Sequence, residues 1–210
     1  MNKLFALLLC TLFSFNCANA ELSLPPISLA APPEQRQSEA VTLYGEVDMA
    51  SAAKVIAGIQ AQNKIDTKLP ILLFINSPGG DVIAGNMILD AMMASRRPII
   101  TVDVGMAASM AAFVFEAGSK RVISPGAILM FHEASMGAQG DLSHVRSRVD
   151  VVSRLVDRYE TFVAKRAGIS LEAYRAHAAA QWWLLDSEAV DAKLADVVAL
   201  IPDYPPPSAD

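Results

Sequence analysis

Strand-like and helix-like segments alternate along residues 41–200, and this alternation limits the chain to a small set of folds. "PILLFINS" (residues 70–77) is a continuous apolar run of the kind found in a strand buried on both faces of a sheet. The β-rich "VTLYGEV" precedes it, and "IITVDV", which Pro98 opens, follows it. Helical segments separate these strands, as parallel pairing requires. The pattern predicts an α/β fold with a mostly parallel sheet.

Further helices and strands extend this prediction. "MASAAKVIAGIQAQNK" and "DVIAGNMILDAMMAS" have helical patterns, and a third helix is expected from about Ala108 to Ala117. Two short strands, "KRVIS" and "AILMFH", precede a long helix from about Leu142 to Ala167. A final helical stretch and the strand "LADVVAL" close the domain. In such a sheet, functional residues gather at the carboxyl ends of the strands.

The first twenty residues predict a secretory signal peptide. "MNK" is basic, "LFALLLCTLFSF" is apolar but too short to span a membrane, and "ANA" is a small-residue cleavage site before Glu21. A buried N-terminal helix is the alternative. Both cysteines, Cys10 and Cys17, lie in this segment, so the mature chain would contain no disulfide. We expect an exported protein, located in a bacterial periplasm.

Proline-rich segments flank the folded domain. Residues 21–40 contain four prolines and predict an extended lead-in, and residues 201–210 predict a tail that cannot form a helix. The domain itself spans residues 41–200. A formal net charge of −5 disfavours nucleic acid as the main partner. The three histidines lack a second ligand at the spacing of a zinc site, and no later stretch predicts a membrane-spanning helix.

Three chemically informative features follow strands. "NSPGGD" (residues 76–81) places two glycines between a strand and a helix, which permits either a plain turn or a loop with exposed N–H groups. Ser109 stands among small residues in "GMAASMA" at a helix start, where it is either a nucleophile or a helix cap. His132 ends the strand "AILMF" and either accepts a proton from a serine or makes a structural hydrogen bond.

Taken together, these motifs match a known family. "INSPGG", "GMAASM" and "ILMFHEASMG", in this order, resemble the proteolytic subunit of the Clp protease (ClpP), and "LYGEV" and "EAVDAKLADVV" fit the same pattern. The resemblance covers residues 41–200. It implies the ClpP/crotonase-like spiral fold of repeated β-β-α units, with a mostly parallel sheet and residues 142–167 as a protruding handle helix. From its residues alone, that helix is equally a solvated one.

The resemblance implies a serine peptidase that needs no cofactor or metal. Ser109 would be the nucleophile and His132 the general base, and the backbone N–H groups of Gly80 and Met110 would form the oxyanion hole. The resemblance also implies a homo-oligomeric ring that acts on peptides or unfolded proteins. Because ATP is lacking outside the cytoplasm, we do not expect an ATP-dependent unfoldase as a partner of the exported chain.

The third catalytic residue departs from the family pattern. The family has an Asp at the position that falls on Gln181 in this chain. A Gln carbonyl can accept a hydrogen bond from Nδ1 of His132, but it brings no negative charge to stabilise the imidazolium. Asp186, which is also a candidate helix cap, and Asp141 are the other candidates. The sequence leaves open which of the three orients His132.

Three other functions stay open at this point. A catalytically weak or inactive ring-forming scaffold would be consistent with Gln181. A crotonase-like acyl-CoA enzyme has a related fold, but "GMAASM" and export away from coenzyme A speak against it. A Ser–Lys dyad would need Lys120 or Lys165 near Ser109.

Overall fold

The computed structural model describes residues 40–135, 137–202 and 204–206. The predicted signal peptide (residues 1–20), all but the last residue of the predicted lead-in and half of the predicted tail lie outside the described residues. Every described residue belongs to one compact unit.

The described part of the chain contains seven strands and six helices. The strands are β1 (Val41–Tyr44), β2 (Ile71–Ser77), β3 (Ile99–Ala108), β4 (Lys120–Ile123), β5 (Ile128–Phe131), β6 (Trp182–Leu185) and β7 (Val197–Val198). The helices are α1 (Met49–Gln62), α2 (Val82–Met93), α3 (Met110–Glu116), α4 (Leu142–Ala167), α5 (Leu171–Ala179) and α6 (Asp186–Asp191).

The strands form one sheet that is parallel except for one pair. Its order is β1-β2-β3-β4-β7, and β5 joins β3 on one side and β6 on the other. Only β5 and β6 run antiparallel within this sheet. The prediction of an α/β fold with a mostly parallel sheet is confirmed.

The central strand β3 changes its neighbour part-way along. Its first half pairs with β4 up to Asp103, which lies opposite Ile123. Its second half pairs with β5 from Met106, which lies opposite Ile128. The ten residues of β3 are mostly buried, as expected for a strand in the middle of a parallel sheet. This change of neighbour brings the ends of β3 and β5 together.

Helix ends follow the expected capping chemistry. The Asp81 carboxylate accepts a hydrogen bond from the Ala84 N–H at 2.7 Å at the start of α2, and Asp48 forms a capping box with Ser51 at the start of α1. Gly168 ends α4 in the left-handed conformation that favours glycine there. Local sequence therefore sets these boundaries.

The second face of the sheet carries a smaller apolar cluster, which contains Phe74, Ile100 and Val102. The proline-rich segment after β7 lies against it. Tyr204 stacks on Phe74 with ring centroids 6.1 Å apart. Residues 204–206 are not helical, and they cover a surface that the helices leave open.

Helix α4 is buried only along its second half. Its buried residues begin at Val156, whereas Leu142 and Val151 near its start are 66% and 50% exposed. The first half therefore extends beyond the apolar core, as the handle of the resemblance implies.

Two predictions about elements were wrong in detail. Ala108 belongs to β3, and α3 begins at Met110 rather than near Ala108. The stretch predicted as a final helical segment contains β6, whose aromatic residues pair with β5. Trp and Leu at the start of a short segment favour a strand when a partner strand is available, and that partner is distant in sequence.

Candidate active site

Ser109 lies at the turn between β3 and α3, in a backbone conformation that residues other than glycine rarely adopt. Its φ is 54° and its ψ is −123°, a strain on the order of 1–3 kcal/mol. The surroundings impose it, because the Ser109 N–H donates to the carbonyl of Met130 in β5 at 2.9 Å and Ala107 and Ala108 are buried. The hydroxyl makes no capping hydrogen bond to α3, which argues against the helix-cap interpretation.

His132 follows β5 directly and contacts Ser109. Because β3 and β5 are parallel and Ala108 lies opposite Met130, the residues after the two strands emerge side by side. Nε2 of His132 is 2.8 Å from Oγ of Ser109, a normal hydrogen-bond distance. With the ring proton on Nδ1, Nε2 can accept the serine proton. The geometry therefore suits a nucleophile and its base.

The glycine loop after β2 is held against the turn between β3 and α3. A Cβ on Gly79 would lie 2.6 Å from the carbonyl oxygen of Ala108, and a Cβ on Gly80 would overlap the carbonyl oxygen of Val47. The two glycines have φ values of 93° and 146°, which also favour glycine. The Val47 N–H donates to Gly79 and the Asp81 N–H donates to Val47, each at 2.7 Å. The loop is thus fixed more firmly than a plain turn.

A cavity of about 290 Å³ joins these features. Ser109, His132, Gly80 and Met110 all line it. Met110 is the first residue of α3, and the first N–H groups of a helix have no acceptor within the helix. The hydrogen bonds that hold the glycine loop do not use the Gly80 N–H. Neither N–H group donates a backbone hydrogen bond among the described residues.

The remaining wall of this cavity is largely apolar. Val82, Phe113, Val156 and the ring of Tyr159 line it, and the Phe113 and Tyr159 rings lie 5.4 Å apart. Burial raises the pKa of Tyr159 to about 12, and its hydroxyl donates to Asn86 at 2.7 Å. A neutral phenol among apolar side chains suits an uncharged substrate group.

Gln181 does not hydrogen-bond His132 in this structure. It is exposed, has a φ of 58°, and accepts a hydrogen bond through Oε1 from Nε1 of Trp183 at 3.4 Å. Nδ1 of His132 has no hydrogen-bond partner among the described residues. The pair with Ser109 is therefore present here without a third member.

The two aspartates considered as alternatives are engaged elsewhere. Asp186 accepts from the Gly126 N–H at 2.6 Å and from the Ser187 N–H, and these bonds, that from Gly126 first, lower its pKa. They join the start of α6 to the turn between β4 and β5. Asp141 is exposed at the start of α4, 3.9 Å from Nδ1 of His144. Neither contacts His132.

Sequence analysis missed one buried acid beside the site, Asp103 in β3. It is fully buried, and its Oδ1 accepts from the Gly105 N–H at 3.0 Å. Burial raises its pKa to about 7, against the opposing effect of the Gly105 and Ala107 N–H groups. The signal in the sequence was a single charged residue within the apolar run "IITVDV".

Other kinds of site find little support in the described residues. No lysine lines the cavity around Ser109, which speaks against a Ser–Lys dyad. In the same part of the chain, no group of three or more His, Cys, Asp or Glu side chains is placed to hold a metal ion. Nor does any helix there have both the length and the apolar character needed to cross a bilayer.

Comparison with known proteins settles the family. The model of the Clp protease family matches residues 34–201, which is most of the chain. The chain belongs to the Clp protease family. It is 34% identical over 163 residues to the "ATP-dependent Clp protease proteolytic subunit 1" of Prochlorococcus marinus subsp. pastoris (strain CCMP1986 / NIES-2087 / MED4), covering 76% of this chain and 83% of that protein.

A second relative gives the same result. The "ATP-dependent Clp protease proteolytic subunit 1" of Leifsonia xyli subsp. xyli (strain CTCB07) is 31% identical over 153 residues, covering 72% of this chain and 78% of that protein. The resemblance noted from the sequence motifs is confirmed, and the ClpP-like α/β fold agrees with it. The family is one of serine peptidases.

Proposed function

We propose that this protein is a serine endopeptidase that hydrolyses peptides or unfolded proteins through an acyl-enzyme. The observation that carries the proposal is the 2.8 Å contact between Nε2 of His132 and Oγ of Ser109. This contact lies in a cavity that Gly80 and Met110 also line. Family membership supports the same chemistry.

The reaction uses these groups in order. Oγ of Ser109 attacks the carbonyl carbon of the scissile bond while Nε2 of His132 takes the hydroxyl proton. The N–H groups of Gly80 and Met110 stabilise the resulting oxyanion; loss of one such donor typically costs about 10²–10³-fold in rate. The imidazolium gives its proton to the leaving amine, which leaves an ester on Ser109. Water, deprotonated by His132, then hydrolyses the ester.

The apolar wall of the cavity suggests which substrates fit. Val82, Phe113 and Val156 present no charge to a bound group, so we expect a preference for an apolar side chain next to the scissile bond. The strained Ser109 backbone keeps its hydroxyl directed at this cavity rather than at α3.

The catalysis we propose is weak, because no carboxylate of the described residues contacts the base. Nδ1 of His132 has no partner among the described residues, so neither tautomer nor ring orientation is fixed from that side. In the chymotrypsin-type triad, replacing the Asp by Asn lowers turnover by about 10⁴-fold. The same observation favours a second candidate function, a non-catalytic ring-forming scaffold.

A serine-directed fluorophosphonate separates the two functions. Wild type should form a covalent adduct at Ser109, located by mass spectrometry of the digested protein, whereas Ser109→Ala should form none. Ser187→Ala, which removes an exposed serine at the start of α6, is the matched control and should be labelled like wild type. Folded wild type that stays unlabelled would favour the scaffold.

We further propose that the chain assembles into a homo-oligomeric ring, with α4 at a subunit contact. The relatives are named as proteolytic subunits, and apolar residues are exposed on the first half of α4, including Leu142 and Val151. Light scattering at micromolar concentration should give a mass several times that of one chain. A monomer alone would contradict the assembly.

Export and independence from ATP complete the proposal. The pattern of residues 1–20 supports secretion, although the relatives are named as parts of ATP-dependent proteases. N-terminal sequencing of protein from the periplasmic fraction should begin at Glu21. A chain that keeps Met1 and stays in the cytoplasm would restore an ATP-driven unfoldase as a reasonable partner.

A further inference from the structure

Strand β3 contains an irregularity just before Ser109. Along the pairing with β2, Ile75 lies opposite Asp103 and Ser77 lies opposite Ala107. Two steps along β2 therefore match four steps along β3, so β3 carries two extra residues in this interval. A bulge of this kind redirects a strand. Here it separates the half of β3 that pairs with β4 from the half that pairs with β5.

The Asp103 side chain spans this bulge from inside the protein. Oδ1 accepts from the Gly105 N–H at 3.0 Å, and the Ala107 N–H lowers the pKa of the carboxyl without a hydrogen bond to it. Oδ2 has no hydrogen-bond partner in the described part of the chain. The Asp103 carbonyl accepts from the Ser124 N–H at 2.9 Å. Asp103 thus contacts the bulge through its side chain and the segment after β4 through its carbonyl.

The bulge also contacts the glycine loop. A Cβ on Gly105 would lie 2.9 Å from Oδ1 of Asn76, and Asn76 begins the "NSPGGD" segment. A change in the path of residues 103–107 would therefore displace both the nucleophile turn and the loop that carries the Gly80 N–H.

We propose that Asp103 is a positioning residue, whose carboxyl holds the β3 bulge so that Ser109 reaches His132, and holds it more firmly when ionised. This inference rests on the proposed peptidase function. A carboxylate accepts hydrogen bonds from N–H groups about twice as strongly as a neutral acceptor. The neutral acid therefore holds the Gly105 N–H less firmly than the anion does.

The surroundings place this change near neutral pH. Burial raises the pKa of Asp103 to about 7. No charged or titratable group on any described strand or helix contributes to that shift, since the two backbone N–H groups alone oppose burial. The neighbours across the sheet are Ile75 and Ile123. Asp103 thus lacks the cation that a buried carboxylate usually has.

Ionisation of Asp103 should make Ser109 more reactive while lowering the stability of the folded protein. Because the pKa is raised in the folded protein, the contribution of Asp103 to stability is full below about pH 4 and is lost as the pH rises to about 7. Replacement by Asn, which cannot ionise, removes this loss. If Asp103 were purely structural, its replacement would lower the labelling rate and the melting temperature together.

The test compares wild type with Asp103→Asn from pH 5 to pH 9. The rate of fluorophosphonate labelling and the melting temperature are measured for both proteins. Because both proteins keep the same Ser109–His132 pair, the comparison uses the ratio of their labelling rates at each pH. We expect similar rates below pH 6 and, above pH 8, labelling of wild type faster by about ten-fold. Over the same range Asp103→Asn should become the protein with the higher melting temperature.

Glu116→Gln is the matched control. Glu116 is a second fully buried acid whose pKa burial raises to about 7, but it contacts Arg121 rather than the bulge. Its ratio of labelling rates to wild type should not change with pH. If Asp103→Asn is unfolded at the assay temperature, Asp103→Ser replaces it, because a hydroxyl also accepts from the Gly105 N–H without ionising.

Three outcomes would overturn the inference while leaving the proposed peptidase function in place. A labelling ratio that is constant from pH 5 to pH 9 would leave Asp103 a structural residue only. Equal pH dependence in Glu116→Gln would show a general effect of buried acids. A melting temperature of Asp103→Asn that stays below that of wild type above pH 8 would contradict an ionised carboxyl in the bulge. Wild type that is unlabelled at every pH would instead overturn the proposed peptidase function, and this inference with it.

Discussion

The two ends of helix α3 are built in opposite ways. At its start, Ser109 has a positive φ, and Nδ1 of its partner His132 has no hydrogen bond within the described residues. At its end, Glu116 is buried and lies 2.7 Å from Arg121 and 3.7 Å from Arg166. One end leaves polar groups open to a ligand, and the other pairs its buried carboxylate with arginines of the same chain.

The ion cluster at the end of α3 acts as an anchor. Arg121 also makes three hydrogen bonds to the Asp196 carboxylate, two from its guanidinium at 2.6 and 3.2 Å and one from its backbone N–H at 2.7 Å. It thus connects β4 to α3 and to the turn before β7. Burial raises the pKa of Glu116, while the Arg121 charge opposes that rise. Breaking such a pair leaves an uncompensated buried charge.

Asp103 and Glu116 are two buried acids that differ in their partners. Burial raises the pKa of each to about 7, but Glu116 has cationic partners and Asp103 has only backbone N–H groups. A buried acid with cations stabilises the fold in its ionised form, whereas one without them makes ionisation costly. The acid without a cation lies six residues before Ser109.

The largest effect on activity should come from removing the base at the start of α3. In His132→Ala no base can take the Ser109 proton, so peptide hydrolysis should fall by at least about 10³-fold. The melting temperature should change little, since His132 is only partly buried. The measurement is the initial rate on a short peptide with an apolar residue before the scissile bond. His177→Ala is the control, because His177 stacks on Trp182; a comparable loss there would contradict the assignment.

Removing the ion pair at the end of α3 should lower stability instead. Arg121→Met leaves Glu116 with a weaker partner, and the free energy of unfolding should fall by about 3–5 kcal/mol. The loss should be greatest above pH 7 and smaller near pH 5, where Glu116 takes up a proton. Urea denaturation at both pH values measures it. Arg154→Met, which removes an exposed pair with Asp150, should cost at most about 1 kcal/mol.

The smallest effect should come from adding a charge near the open end. Gln181→Asp restores the carboxylate of the family pattern, yet the Gln181 side chain turns towards Trp183 in this structure. We expect the hydrolysis rate to change by less than about three-fold, because a gain requires the new carboxylate to reach Nδ1 of His132. An increase of about ten-fold or more would show that residue 181 can turn towards the base. Asn at the same position is the uncharged control.

Much of the site could be predicted from the sequence because its motifs are local. The glycines of "NSPGGD", the small residues around Ser109 and the position of His132 after a strand each specify a turn or a strand end. Strand and helix patterns gave the α/β class, since buried parallel strands are continuous apolar runs. These features depend on neighbours along the chain, so they can be recognised without knowing the fold.

Contacts between distant segments could not be predicted in this way. The register of β3 on β5 brings Ser109 within 2.8 Å of His132, and β6 forms only because β5 offers it a partner. The side-chain direction of Gln181 and the isolation of Asp103 inside the bulge likewise depend on which strands meet. The sequence by itself determined the chemical groups and the elements that carry them. Tertiary structure decided which groups touch, because strand pairing and burial act between residues far apart in the chain.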